Sequence, residues 1–172
     1  KRSGATSIPE ALRMAPGVEV AQMGAGKWAI TIRGFNAQFS NKLLVLVDGR
    51  TVYNPLFSGV YWDEQDYLLE DIDRIEVIRG PGATLWGANA VNGVINIITK
   101  NAKNTLGGYA ESYIGTTYNG GVAARYGAKT NDGVYYRTYA KYDKQNNSYP
   151  QGYDGIMNDM VNSRSGFRAD WS

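Results

Sequence analysis

Several groups of side chains in this sequence are of types that could do chemistry. Asp63, Glu64 and Asp66, then Glu70, Asp71 and Asp73, form two acidic clusters that could hold a cation. Their spacing lacks the sixth-position glycine and late glutamate of a calcium loop, so a solvated acidic face is the better reading. Gly24-Ala25-Gly26-Lys27 resembles the end of a phosphate loop. Trp28 stands where Ser or Thr is required, however, and the upstream glycine is missing. The chain has no histidine and no cysteine. That removes the commonest general base near neutral pH, the commonest metal ligand and every thiolate. No Gly-x-Ser-x-Gly elbow occurs, and no carboxylate pair or Ser–Lys spacing stands out. The expectation is therefore a protein that is not an enzyme, with no cofactor and no metal. Arg33 and Arg79 stand out differently: each ends an apolar stretch and is followed by glycine. Tyr53, Phe57, Tyr61 and Trp62 crowd one Pro- and Gly-containing segment, offering rigid contact area with polar tips.

The elements that must position these residues change character along the chain. Ser7-Ile8-Pro9-Glu10 reads as an N-cap with Pro and Glu in the first helical turn, and Pro16-Gly17 ends that helix. Strands are expected at 18–20 and 29–33. The run 43–47, all Leu and Val, reads as a strand buried on both faces, followed by the turn pair Asp48-Gly49. A loop spans 53–62, a helical turn 68–72, a strand 74–78, a short helix 83–86 and a last strand 94–99. Short helices between short strands make a small mixed α/β domain.

From Gly108 the period becomes two. Val122, Ala124, Tyr126 and Ala128 share a face, as do Val134, Tyr136, Thr138, Ala140 and Tyr142, and then Val161, Phe167, Ala169 and Trp171. Arg125, Lys129, Arg137, Lys141, Asp143, Asn162, Arg164 and Arg168 lie on the opposite faces. Each run approaches the roughly 9–11 residues of a tilted transmembrane strand. The connections alternate between the tight turn 130–133 and the long polar loop 144–160, which is the habit of outer-membrane barrels. A soluble antiparallel sheet with one wet face has the same period. Four strands fall short of the about 8 in the smallest such barrels, so the chain reads as a fragment. With a net charge of +2, nucleic acid is not an expected partner.

Six motifs, in order and at compatible spacing, carry a family resemblance. They are Ile8-Pro9-Glu10-Ala11-Leu12 with Pro16-Gly17-Val18, Ile32-Arg33-Gly34-Phe35, and Leu44-Val45-Leu46-Val47-Asp48-Gly49. Ile72 through Pro81, Leu85-Trp86-Gly87-Ala88-Asn89-Ala90 and Gly93 through Lys100 complete them. Residues 8–100 thus resemble the plug domain of TonB-dependent outer-membrane receptors. The resemblance implies an α+β fold: a plug domain over 1–105, then over 106–172 the first antiparallel strands of an incomplete transmembrane β-barrel of ~22 strands. It implies location in a Gram-negative outer membrane, contact with the lipid bilayer, and import of a scarce nutrient such as a ferric siderophore, haem or cobalamin. The partner would be TonB, which pairs by strand addition with a segment for which no candidate is seen here.

By position in that family, Arg33 and Arg79 are expected to meet a pair of barrel carboxylates at the plug–barrel interface. They should look unpaired, or paired with a local acid such as Glu76, where those strands are absent. Ligand contacts are expected from the loops 22–28, 36–41 and 53–62, with Gln38, Phe39, Tyr53 and Trp62 the foremost ligand-binding candidates. These rings could equally pack against one another or the lumen wall. The alternative function is a soluble β-rich binding or adhesion module without transport. As an isolated piece, the open strand edges are expected to pair with another copy.

Overall fold

The computed structural model describes residues 4–32, 34, 39–40, 42–87, 89–115, 118–145 and 160–171. The chain divides into two compact units, Lys1–Thr99 and Lys100–Ser172.

The first unit opens with α1 (Ile8–Leu12). Ser7 accepts a hydrogen bond from the Glu10 N–H at 3.5 Å. The Glu10 carboxylate reaches back to the N–H and hydroxyl of Thr6 at 2.7 and 2.8 Å. Donors left over at the helix start are thus satisfied from both directions. The chain then forms a hairpin of β1 (Val18–Gly24) and β2 (Lys27–Ile32). Both strands are longer than the sequence suggested. Pairing persists to Gly24↔Lys27, leaving only Ala25 and Gly26 for the turn, and Gly26 supplies a positive φ of 68°.

A four-stranded sheet follows, in the order β4 (Arg50–Thr51), β3 (Leu43–Val47), β6 (Gly93–Thr99), β5 (Ile72–Arg79). β3 and β6 pair in parallel at its centre, with antiparallel edges. The unbroken apolar run of β3 is explained by two cores. Leu43, Val45 and Val47 join Ile8, Leu12, Ile30, Ile32, Ile95 and Ile97 on one side, while Leu44 and Leu46 pack with Ala90 and Val94 on the other. Each such buried aliphatic side chain contributes about 1.5–3 kcal/mol. Gly93 is obligatory at the start of β6, since a Cβ there would sit 2.6 Å from the Ile78 carbonyl oxygen and 2.9 Å from Ile32 Cδ1. Asp48, at φ 48°, turns β3 into β4, and its carboxylate accepts from both the N–H and the hydroxyl of Thr99 at 2.8 Å. The short α2 (Ala83–Trp86) fills the gap between β5 and β6.

The second unit is an up-and-down antiparallel sheet: β7 (Gly107–Tyr113), β8 (Tyr118–Lys129), β9 (Val134–Gln145) and β10 (Met160–Trp171), in the order β10-β9-β8-β7. The last three strands have 12 residues each. The β8–β9 turn is closed by the Thr130 N–H on the Val134 carbonyl at 2.8 Å, with Gly133 at φ 84°. The 3-10 turn Ala102–Thr105, grouped with the plug in the sequence-based division at 105/106, makes its bonds within this second unit. The Ala102 N–H donates to Asp170 at 2.7 Å, and Arg137 Nη1 donates to the Lys100 carbonyl at 2.6 Å.

Candidate functional site

The segment from Tyr53 to Tyr61 is built as a closed loop. Asn54 and Gly59 exchange backbone hydrogen bonds at 2.7 and 3.3 Å, and the Asn54 side chain accepts from the Leu56 N–H at 3.0 Å. Gly59 is needed because a Cβ there would lie 2.8 Å from Phe39 Cα. That close approach gathers three rings. Phe39 stacks on Phe57 at 5.9 Å, and Tyr61 meets both edge-on at 5.2 Å. Leu56 and Phe57 are 81% and 47% exposed, so the loop carries an apolar surface outward. Desolvation first, then the Glu64 and Asp63 carboxylates, push the Tyr61 phenol up from its ordinary pKa, which keeps it protonated.

The candidate ligand residues part company here. Phe39 belongs to the ring cluster and is half-buried. Tyr53 is half-buried on the same loop, its N–H donating to Thr51 Oγ1 at 3.3 Å. Trp62 is drawn inward instead. It is 5% exposed, in the main core with Ile30, Val45 and Val60, so its indole supports the loop from beneath and has no face to offer a ligand. The segment 22–28, expected as a ligand-facing loop, is the β1–β2 hairpin with Ala25 and Trp28 buried. Gln38 lies outside the described residues, as does most of the segment 36–41. Leu56 was not singled out from the sequence. Its neighbour Pro55, between Asn54 and the glycine five residues on, was the signal of a closed turn that pushes an apolar tip outward.

Arg33 also lies outside the described residues. Arg79 is exposed and donates through Nη1 to the Pro16 carbonyl at 3.3 Å. It makes no ion pair among the described residues. Glu76, its expected local partner, is taken by Arg74, which binds Glu76 and Asp73 at 2.7 Å each. Asn96 Nδ2 adds a bond to Glu76 at 3.0 Å. The Arg74 hydrogen bond, then that of Asn96, hold the Glu76 carboxyl below its usual range. No acidic cluster among the described residues is arranged to hold a metal ion.

The sheet of the second unit is inverted in polarity. Register places Val122 opposite Tyr142, and Tyr136 beside Ala128 and Ala169, on one face. That face is open: Val122 is 56%, Val161 57%, Phe167 83% and Trp171 79% exposed. The opposite face carries most of the charges, and Arg137, Lys141 and Asp143 on it are buried. No described helix is long and apolar enough to cross a membrane. An apolar exterior on strands of this length over a polar interior is what a lipid-embedded barrel wall requires.

Comparison with known proteins places these features. The model of the TonB-dependent receptor plug domain matches residues 1–94. The vitamin B12 transporter BtuB of Vibrio vulnificus is 39% identical over 105 residues, 60% of this chain and 16% of that protein. An iron-regulated outer membrane virulence protein of Vibrio cholerae is 45% identical over 101 residues, 54% of this chain and 14% of that protein. Among solved structures, the ferric-catecholate import receptor Fiu of E. coli K12 superposes with a TM-score of 0.65 at 26% identity, covering 97% of this chain and 22% of that one. The ferric yersiniabactin uptake receptor FyuA of Yersinia pestis gives 0.69 at 20% identity over 98% of this chain and 27% of that one, a likeness of fold. The chain therefore spans about a sixth of its curated relatives, and its fold is a plug followed by opening strands of a transmembrane β-barrel. With residues 1–94 of its 172 matched by the family's model, the chain belongs to the TonB-dependent receptor plug domain family.

Proposed function

We propose that this chain is the plug and first barrel wall of a TonB-dependent receptor that imports a scarce, bulky nutrient across a Gram-negative outer membrane. The observation that carries the reading is the coupling, in one chain, of a plug fold to a sheet whose apolar face is open and whose polar face buries Arg137, Lys141 and Asp143. Relatives described as transporters of vitamin B12 and receptors for ferric siderophores support a metal chelate as cargo. In this reading the plug gates the barrel, and TonB supplies the force that remodels it. Phe39 and Tyr53, with Phe57 and Tyr61, form the plug's contact surface for ligand, while Trp62 holds that surface up. Arg33 and Arg79 turn to barrel carboxylates, since an arginine stranded at a closed interface would cost roughly 3–5 kcal/mol.

The test is uptake by cells carrying the full receptor, with ferric siderophores, haem and cobalamin offered in turn. Tyr53→Ala with Phe57→Ala should lower uptake of one of them while the receptor still reaches the outer membrane. If deleting the receptor's gene leaves uptake of all three unaltered, the transport reading fails.

A further inference from the structure

The turn Ala102–Thr105 opens the second unit, between Thr99, which ends β6, and Gly107, which begins β7. It is a closed structure. The Asn101 side chain accepts from the Lys103 N–H, and the Asn101 carbonyl from the Asn104 N–H, both at 2.9 Å. At the other end the Thr105 hydroxyl donates to the Ala102 carbonyl at 3.0 Å, and Ala102 and Thr105 are both buried. Gly107, at φ 85°, then redirects the backbone into β7.

Three strands hold this turn, all at the end of the sheet that carries the tight turn 130–133. From β8, Gly127 leaves room for it, since a Cβ there would collide with the Thr105 carbonyl oxygen. From β9, buried Arg137 donates through Nη1 to the Lys100 carbonyl at 2.6 Å. From β10, Asp170 accepts from the Ala102 N–H at 2.7 Å. Arg168 forks onto the same carboxylate through Nε and Nη2 at 2.8 and 2.9 Å, which fixes the orientation that the Ala102 N–H needs. Register sets Arg137 between Gly127 and Arg168, so the grip comes from neighbouring strands on one face. An apolar seat would be non-directional and let the turn slide. Hydrogen bonds to charged groups fix direction as well as place.

We propose that Asp170, Arg168 and Arg137 are positioning residues for gating: they anchor residues 100–106 to the sheet, and remodelling of the plug under tension stops at Thr99. The inference rests on the import reading above. Tension that reaches Lys100 is divided among bonds to separate strands. Without the anchor it would arrive at Gly107 and load β7 from its first pair, Gly107↔Gly127, opening that ladder one bond at a time. Remodelling that ran past Thr99 would thus loosen the wall itself.

The experiment uses the full receptor in cells with and without active TonB, challenged with vancomycin, an antibiotic too bulky to cross an intact outer membrane. Wild type should exclude it in both strains. Asp170→Ala, which removes the acceptor and releases Arg168, should admit it only where TonB is active. Gly127→Ala, which pushes the turn away, should do the same. Asp170→Asn keeps an oxygen for the Ala102 N–H and should leak less than Asp170→Ala. In the purified receptor, hydrogen exchange at residues 100–106 should rise about tenfold in Asp170→Ala, the lower end for losing a hydrogen bond to a charged group. Heat-modifiable migration in gels confirms a folded barrel, and where one alanine variant fails to fold, the other and Asp170→Asn carry the test. Leak that is equal without TonB marks a merely structural defect and overturns the proposal, as does exclusion by both alanine variants in cells that still import. A wild-type receptor whose uptake does not depend on TonB would instead sink the import reading.

Discussion

Replacing Asp48 isolates what one side chain contributes to holding the plug sheet closed. Its two carboxylate oxygens accept from the amide and the hydroxyl of Thr99, each at 2.8 Å, and Thr99 is 7% exposed. Asp48→Ala leaves that buried amide without this acceptor, a loss of about 1–3 kcal/mol. Asp48 also sits at φ 48°, where alanine lacks the local hydrogen bonding that lets Asp and Asn tolerate the left-handed region, a further cost of roughly 1–2 kcal/mol. Asp48→Gly removes the second penalty and keeps the first. Asp48→Asn keeps the backbone and one acceptor, and should cost about 1 kcal/mol. Stability should thus fall in the order Asn, Gly, Ala. The assay is hydrogen–deuterium exchange on the intact receptor, read on peptides covering 43–51 and 93–99. Where reclosing outpaces exchange, about 2 kcal/mol corresponds to roughly 30-fold faster exchange in the glycine variant, and about 3.5 kcal/mol to roughly 400-fold in the alanine variant. Equal rates for Ala and Gly would remove the backbone argument. Wild-type protection in all three would refute the latch altogether.

Gly93→Ala drives a Cβ against the Ile78 carbonyl oxygen, a rigid neighbour, and should lower plug stability by about 1–3 kcal/mol, measured by denaturation with the barrel as internal reference. Glu76 should titrate below the ordinary glutamate range by NMR, and Arg74→Met should bring it back up. Because its folded pKa is depressed, its contribution is present above the unfolded glutamate value and is lost as pH falls through the folded one; both partners are exposed, so the change in stability is small. The 172-residue chain alone should self-associate in sedimentation experiments, since β7 and β10 each have one described neighbour and Phe167 and Trp171 face outward. A stable monomer would refute that.

Local chemistry made much of the first unit legible. A continuous apolar run needs two cores, and β3 has them; Ser7 and Glu10 cap α1 as their spacing requires. What stayed hidden depended on long-range register. Nothing near Val20 says that β1 continues to Gly24, because half-buried Gln22 and exposed Met23 do not read as a strand by themselves and only pairing with β2 extends it. Trp62 and Tyr61 are adjacent in an aromatic segment, and composition cannot say which turns inward. The 3-10 turn Trp62–Glu64 decides it, rotating Trp62 beneath the loop while Tyr61 joins Phe39 and Phe57.

The second unit shows why a period of two leaves function open until burial is known. Alternation fixes which residues share a face, and β8, β9 and β10 obey it. It does not say which face meets solvent. In a water-soluble sheet the face bearing Val122, Tyr142 and Phe167 would be covered, and Arg137, Lys141 and Asp143 would be wet. Here the order is reversed: Asp143 is 1% exposed and Phe167 83%. Such an arrangement is unfavourable against water by several buried side chains' worth of transfer free energy, and favourable only if hydrocarbon lies outside and polar groups lie within. The inversion, more than any single residue, is what fits this sheet to a membrane wall.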